Sequence, residues 1–166
     1  FAGCSKVTGD LVIPNSVITI GEDAFEGCES LTDIKIPNSV TSIGEFAFAW
    51  CSNLKNATIS KNLENITANV FCYCSSLKNV KILKGVKNIG RGAFSGCKSI
   101  TNIKIPSTIK SIGEGAFASC SNLKNIIIPT NVKNIGKDTF KGCKKLIIKG
   151  KKGSYAQKYA KKNKIK

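Results

Sequence analysis

The sequence has no histidine, a single arginine, a single tryptophan and only ten acidic residues among 166. Without histidine the usual general base and a frequent zinc ligand are both missing, which counts against acid–base catalysis and against mixed Cys/His metal sites. The ten acids are scattered or recur with the chain, and no two stand out as an acid–base couple. Serine and lysine are so plentiful that a Ser–Lys pair can be drawn anywhere and carries no information. The chain therefore reads as non-enzymatic, with no cofactor, no metal and no small-molecule substrate. No apolar run approaches the ~18 residues of a membrane-crossing helix, so this piece carries no transmembrane segment. It shows no signal peptide and no initial methionine. Its opening, Phe1-Ala-Gly-Cys4, is the end of a unit whose beginning is missing, so the chain reads as part of a larger protein.

What is present is a period. Phe25, Phe48, Phe71, Phe94, Phe117 and Phe140 stand 23 residues apart, and Cys28, Cys51, Cys74, Cys97, Cys120 and Cys143 keep the same step. A fixed repeat of this length marks a solenoid, in which each coil is closed off by its two neighbours. The unit reads Leu-x-x-Ile-x-Ile-Pro-x-x-Val-x-x-Ile-Gly-x-x-Ala-Phe-x-x-Cys. Its first part alternates as a short strand does, and Pro14, Pro37, Pro106 and Pro129 end that strand. Ala47, Phe48 and Cys51 have helix-like spacing over one or two turns, and Gly44 with its equivalents would permit the bend before them. Between Cys4 and Pro14 the chain carries one residue more than the later repeats, predicting a bulge near Lys6–Gly9. The inward set of a coil is expected to be Leu31, Ile34, Ile36, Val40, Ile43, Ala47, Phe48 and Cys51.

This repeat resembles the leucine-rich repeat proteins, specifically the 23-residue BspA-like (Treponema pallidum-type) class. Repeat three departs from it, with Ala57 for Ile, Ser60 for Pro, Thr67 for Gly and Val70 for Ala; repeat four has Leu83 in place of Pro. The stretch from Lys149 to Ala160 is similar to the family's closing segment. There Ser154 can cap a helix whose Tyr155, Ala156, Tyr159 and Ala160 form one apolar face. The expected fold is an α/β repeat solenoid: a right-handed leucine-rich repeat with a parallel sheet on one face, short helical turns on the other, and a C-terminal capping helix. Residues 1–149 would form an N-terminally truncated solenoid of about six and a half repeats, and residues 150–166 a Lys-rich capping segment. The resemblance implies an extracellular or cell-surface adhesion module that binds a protein ligand such as a host or matrix protein.

Eight cysteines could signal disulfides. Equivalent positions on adjacent coils, however, hold Cβ atoms ~4.8 Å apart with parallel vectors, beyond the distance a disulfide favours. A buried, reduced ladder beside the phenylalanines is the expected arrangement. Cys72 falls outside that ladder, in the slot of Glu26, Ala49, Ser95, Ala118 and Lys141, and is expected to be partly exposed.

Charge is unevenly placed. Residues 1–33 hold one lysine against six acids, whereas the remaining 25 basic residues face four acids. From Lys141 onward there are eleven lysines and no acid. Such a surface can be lysine kept for solubility, or an electrostatic site for polyanions such as acidic glycans, anionic surfaces or nucleic acid. Arg91 is the sole arginine, so base-specific readout is not indicated. On the outward sheet face, Asp10, Asp33, Asn56, Asn79, Asn102 and Asn125 form one column. Lys55, Lys78 and Lys124 flank it on one side and Lys81 and Lys104 on the other. Stacked amides there serve the sheet, and the same face could receive an extended or acidic partner. A second candidate is aromatic. The slot before the ladder cysteine is small at Gly27, Gly96, Ser119 and Gly142 but is Trp50 and Tyr73 in adjacent coils, with Phe46 four residues before Trp50. These three rings either form a docking patch or fill a gap beside the irregular third repeat.

Overall fold

The computed structural model describes residues 9–166. In chain order the strands are β1 (Gly9–Val12), β2 (Thr19–Ile20), β3 (Leu31–Lys35), β4 (Ser42–Ile43), β5 (Asn56–Ile59), β6 (Asn65–Ile66) and β7 (Asn79–Ile82). Then follow β8 (Asn88–Ile89), β9 (Asn102–Lys104), β10 (Ser111–Ile112), β11 (Asn125–Ile127), β12 (Asn134–Ile135), β13 (Ile147–Lys149) and one helix, α1 (Tyr155–Lys162). Each coil contributes one longer and one two-residue strand, and all pairings are parallel. The longer strands line up as β1-β3-β5-β7 and β13-β11-β9, the short ones as β12-β10-β8-β6 and β2-β4. From Asp33 opposite Asn56 onward the register between consecutive coils follows the sequence period, as in Asn56 opposite Asn79 and Ser111 opposite Asn134. The protein is thus a parallel-strand solenoid of about six turns. Cys4 and most of the bulge expected near Lys6–Gly9 lie outside the described residues; between Gly9 and Leu11 the β1/β3 register shifts. Among the described residues no helix is long and apolar enough to cross a membrane.

Period-two alternation puts Ile34 and Ile36 inside, and Leu31, three residues before Ile34, joins them with Val40, Ile43, Ala47, Phe48 and Cys51; all eight are buried. The third side of the coil, read above as short helical turns, consists of successive tight turns. The Ala49 N–H donates to the Phe46 carbonyl (2.8 Å) and the Cys72 N–H to the Asn69 carbonyl (3.0 Å). A third backbone ladder joins these turns between coils, for example Phe48 N–H to Val70 carbonyl and Phe71 N–H to Ala93 carbonyl, each 2.9 Å. The column of Gly44, Gly90, Gly113 and Gly136 does not bend the chain through left-handed backbone. It lets coils touch: a Cβ on Gly44 would lie 2.2 Å from the Glu22 nitrogen, and one on Gly136 2.4 Å from that of Glu114. Where repeat three departs, it compensates locally. Ser60 replaces the strand-ending proline and its hydroxyl accepts the Asn62 N–H (3.1 Å), while Thr67 donates to the Ile43 carbonyl (2.6 Å).

Two internal spines run along the axis. The phenylalanine rings stack coil on coil with centroids 5.2 to 5.7 Å apart from Phe25 through Phe140. Beside them each ladder thiol from Cys51 on donates to the carbonyl of the phenylalanine 26 residues earlier: Cys74 to Phe48 at 3.0 Å, Cys97 to Phe71, Cys120 to Phe94 and Cys143 to Phe117 at 3.1 Å. No disulfide joins the described cysteines. The expected exposure of Cys72 is corrected: it is buried, 3% exposed, like Ala49 in the coil before it. That slot is open in the last coil, at Lys141, but closed in the two coils whose next residue is Trp50 or Tyr73.

α1 finishes the phenylalanine spine. Tyr159 meets Phe140 edge-to-face (6.0 Å, 75°), and Ala156, Tyr159 and Ala160 are buried. Ser154 caps the helix by accepting the Gln157 N–H, and the Gln157 side chain accepts the Gly153 N–H in return. Past the helix, the Lys166 carbonyl accepts the Ile148 N–H (2.8 Å), covering the last strand. Deleting residues 150–166 should uncover Phe140, Leu146 and the outer edge of β13. The shortened protein is expected to self-associate in analytical ultracentrifugation and to unfold at lower urea. A monomer of unchanged stability would refute the capping role.

Candidate functional site

The turn side of each coil contains two residues in left-handed backbone, four apart. The first column is Asp23, Phe46, Asn69, Gly92, Gly115 and Asp138, with φ between 53° and 59°. The second is Gly27, Trp50, Tyr73, Gly96, Ser119 and Gly142, with φ between 56° and 82°. Glycine, asparagine and aspartate tolerate this region; a bulky side chain there costs roughly 1–2 kcal/mol. Yet Phe46 (φ 54°), Trp50 (φ 56°) and Tyr73 (φ 59°) all occupy it.

The three rings form one continuous surface stack. Phe46 and Trp50 are 5.9 Å apart and 10° from parallel; Trp50 and Tyr73 are 5.6 Å apart and 12° from parallel. Such pairs contribute about 0.5–1.5 kcal/mol each, enough to offset part of the backbone strain. The stack ends at Gly96, where an added Cβ would lie 2.6 Å from a Tyr73 ring carbon. Trp50 remains 42% exposed and Tyr73 52%. Half-open rings are not filling the core beside Ala57, which is itself buried on the strand side. The structure therefore gathers the sequence-expected trio into a surface ridge. The sequence reading missed the left-handed backbone beneath it, although the Asp, Asn and Gly at equivalent positions were its signal.

The other candidate residues lie on a different side of the coil. Lys55, Lys78, Lys81, Lys104 and Lys124 are exposed on or beside the longer strands. Asn79 donates to Asn56 (2.7 Å) and Asn56 to Asp33, so the amide column is a hydrogen-bonded ladder in those coils. It breaks at Asn102, whose amide turns to its neighbour Thr101 (3.3 Å). The ladder amides are thus engaged with one another, and the lysines beside them are spread along the sheet.

All seven described thiols are buried; the Cys74 hydrogen bond holds Cys51 below its ordinary value, but Cys51 lies in the core with no basic side chain beside it. Burial pushes Cys72 and Cys143 up to about 11 and raises Cys74, Cys97 and Cys120 well above the ordinary thiol value. All five are protonated at neutral pH. Among the described residues no three metal-ligating side chains converge.

A sequence model of the BspA type leucine rich repeat region matches the chain in six copies, over residues 1–98 and 65–154. Among solved structures, a leucine rich repeat protein of T. pallidum is 32% identical, with a TM-score of 0.81 over 85% of this chain and 68% of its own. A leucine-rich repeat protein from Bacteroides ovatus is 30% identical, with a TM-score of 0.79 over 89% of this chain and 43% of its own. A leucine rich cell surface protein from Faecalibacterium prausnitzii is 25% identical, with a TM-score of 0.57 over 89% of this chain and 54% of its own. The chain thus spans about half the length of the last two. No curated protein matches it.

Proposed function

The chain belongs to the BspA-type leucine-rich repeat family, and on that premise we propose that it is a non-enzymatic protein-binding and adhesion module at a cell surface, docking its partner through the ridge of Phe46, Trp50 and Tyr73. The observation that carries the docking site is the ridge itself: three aromatics held half open on left-handed backbone where other coils use Gly, Asn, Asp or Ser. Local physics alone would select small or polar residues there, so the rings point to a role outside the fold. Exposed tryptophan and tyrosine supply large contact area with few rotatable bonds, the property of interface hot spots. The surface location is supported by the similar protein from Faecalibacterium prausnitzii, described as a cell surface protein.

The test separates packing from binding. Trp50→Gly removes the ring and also relieves its left-handed strain, so stability to urea should change by less than about 1 kcal/mol. Binding to surface-immobilised host matrix proteins should fall about thirtyfold, the effect of losing a hot-spot residue. The double exchange K55Q/K78Q on the sheet face should leave that binding unchanged. A Trp50→Gly protein that is clearly destabilised but binds as before would reduce the ridge to packing.

A further inference from the structure

The residue before each short strand forms a column, and from the third coil on it reads Glu64, Lys87, Lys110 and Lys133. Backbone bonds fix its spacing: Lys87 N–H to Glu64 carbonyl and Lys110 N–H to Lys87 carbonyl at 2.7 Å, Lys133 N–H to Lys110 carbonyl at 2.8 Å. The cations therefore stem from positions about 4.8 Å apart on a rigid ladder. Glu64 pairs with Lys87 at 2.5 Å; among the described residues neither Lys110 nor Lys133 forms an ion pair. The column borders an open hollow of about 830 Å³ whose other wall includes Ser107, Thr108 and Asn131. A second hollow, of about 370 Å³, continues from Lys133 to Lys151, Lys152 and Lys158 at the start of α1. No carboxylate lines either one.

We propose that these adjoining hollows form one groove that binds a linear acidic polysaccharide, seating its sulfate or carboxylate groups on Lys110, Lys133 and the Lys151, Lys152 and Lys158 cluster. Like charges held at strand spacing repel one another; the one acid of the column, Glu64, pairs closely with Lys87 and reaches Lys110 only as a weaker, longer-range attraction, and no acid pairs with Lys133 among the described residues. A flexible polyanion lying along the axis relieves them all at once. Lysine presents a compact point charge, suited to anionic groups distributed along a sugar chain, whereas the bidentate phosphate fork is arginine's. Nucleic acid fits less well: no arginine lines the groove, and Tyr155, 39% exposed, is its single aromatic, so successive bases have no stacking platform. An anionic bilayer fits less well too, because the lysines line hollows and no exposed aliphatic residue stands beside them to insert. The groove lies on another side of the coil from the ridge and stands whether or not the ridge binds protein.

The experiment is calorimetric titration with a heparin hexasaccharide at 150 mM salt. Two variants of equal charge are compared: K110Q/K133Q/K151Q in the groove and K55Q/K78Q/K124Q on the sheet face. All six lysines are exposed, and circular dichroism confirms the fold. The groove variant should lose at least tenfold in affinity, with a salt slope shallower by about two to three. The sheet variant should lose less than threefold. Emission from Trp50, the protein's only tryptophan, should not move, because the ridge is not involved. Equal loss in both variants would show net charge alone and overturn the proposal, as would absent binding by the parent protein. A shift of Trp50 emission would place the ligand on the ridge and overturn it too. Equally tight, groove-dependent binding of a DNA duplex or of phosphatidylserine vesicles would overturn the choice of a polysaccharide.

Discussion

Between pH 8.5 and 10.5 the protein should lose most of its stability, with a urea midpoint that is flat below pH 8 and collapses above 9. The cause is the buried thiols: four members of the spine, Cys74, Cys97, Cys120 and Cys143, and Cys72 beside them. Burial raises Cys72 and Cys143 to about 11 and holds Cys74, Cys97 and Cys120 well above the ordinary thiol value. In the unfolded chain each thiol titrates near its ordinary value of about 8.5. Below that value both states hold the proton at these five thiols, which contribute no pH dependence there; Cys51, held low by its hydrogen bond with Cys74, contributes weakly in the opposite sense. Above it the unfolded chain releases protons that the folded chain keeps, so stability falls as pH rises, until the folded thiols ionise as well. Each thiol adds up to about 1.4 kcal/mol per pH unit, and five together about 7 kcal/mol per unit, comparable with the ~5–15 kcal/mol that holds a domain together. Cys97→Ala should make the fall shallower by about one thiol's share, which separates the spine from lysine and tyrosine titration. Thiol titration should find few reactive groups in the native protein at pH 8 and all eight after unfolding without reductant. A midpoint that holds to pH 10.5, or missing thiols in the unfolded chain, would sink the reduced spine.

Most of the frame was legible because a solenoid repeats its instructions. A 23-residue step that carries Phe, Cys and Ile through six coils leaves one arrangement in which all of them are inward, and Leu31 through Cys51 occupy it. The turn side was harder to read. Ala47, Phe48 and Cys51 have helical spacing, but left-handed backbone at Phe46 and Trp50 breaks any helix before it starts. Asp23, Asn69, Gly92 and Gly115 record that conformation, and Phe46 masks it in the one coil where it matters most. Gly44 illustrates the opposite error: its column follows from contact between coils, which no single repeat contains. Cys72 was misplaced for a related reason, because its cover depends on the coil and not on its own slot. The lysine column from Lys87 to Lys133 sits in the period for anyone to count. Its meaning needed the hollow beside it and the single carboxylate at its head, which only the folded coils bring together.

Replacing Phe94 by alanine should cost about 3–5 kcal/mol, the largest loss expected of any single exchange in the chain. Phe94 is fully buried in the middle of the spine, 5.7 Å from Phe71 and 5.4 Å from Phe117. Its removal leaves a cavity that cannot close easily, because its coil is held from both sides: the Ala93 carbonyl accepts the Phe71 N–H of the coil before (2.9 Å), and Phe94 N–H donates to the Ala116 carbonyl of the coil after (2.8 Å). Two ring stacks vanish together, so the Phe94 coil loses its aromatic contact with both the coil before and the coil after. In a solenoid, stability is a sum of coils and interfaces, and a weakened central interface lets the halves unfold separately. The variant should therefore show both a lower urea midpoint and a broader transition, with a smaller apparent m. Phe94→Leu, which keeps most of the volume, should lose less than half as much and retain a single sharp transition. Phe25→Ala, at a half-buried ring in the first described coil, should cost less and leave the transition sharp. If Phe94→Ala loses less than about 1.5 kcal/mol with an unchanged m, the spine does not couple the coils, and the strand ladders alone must hold the stack.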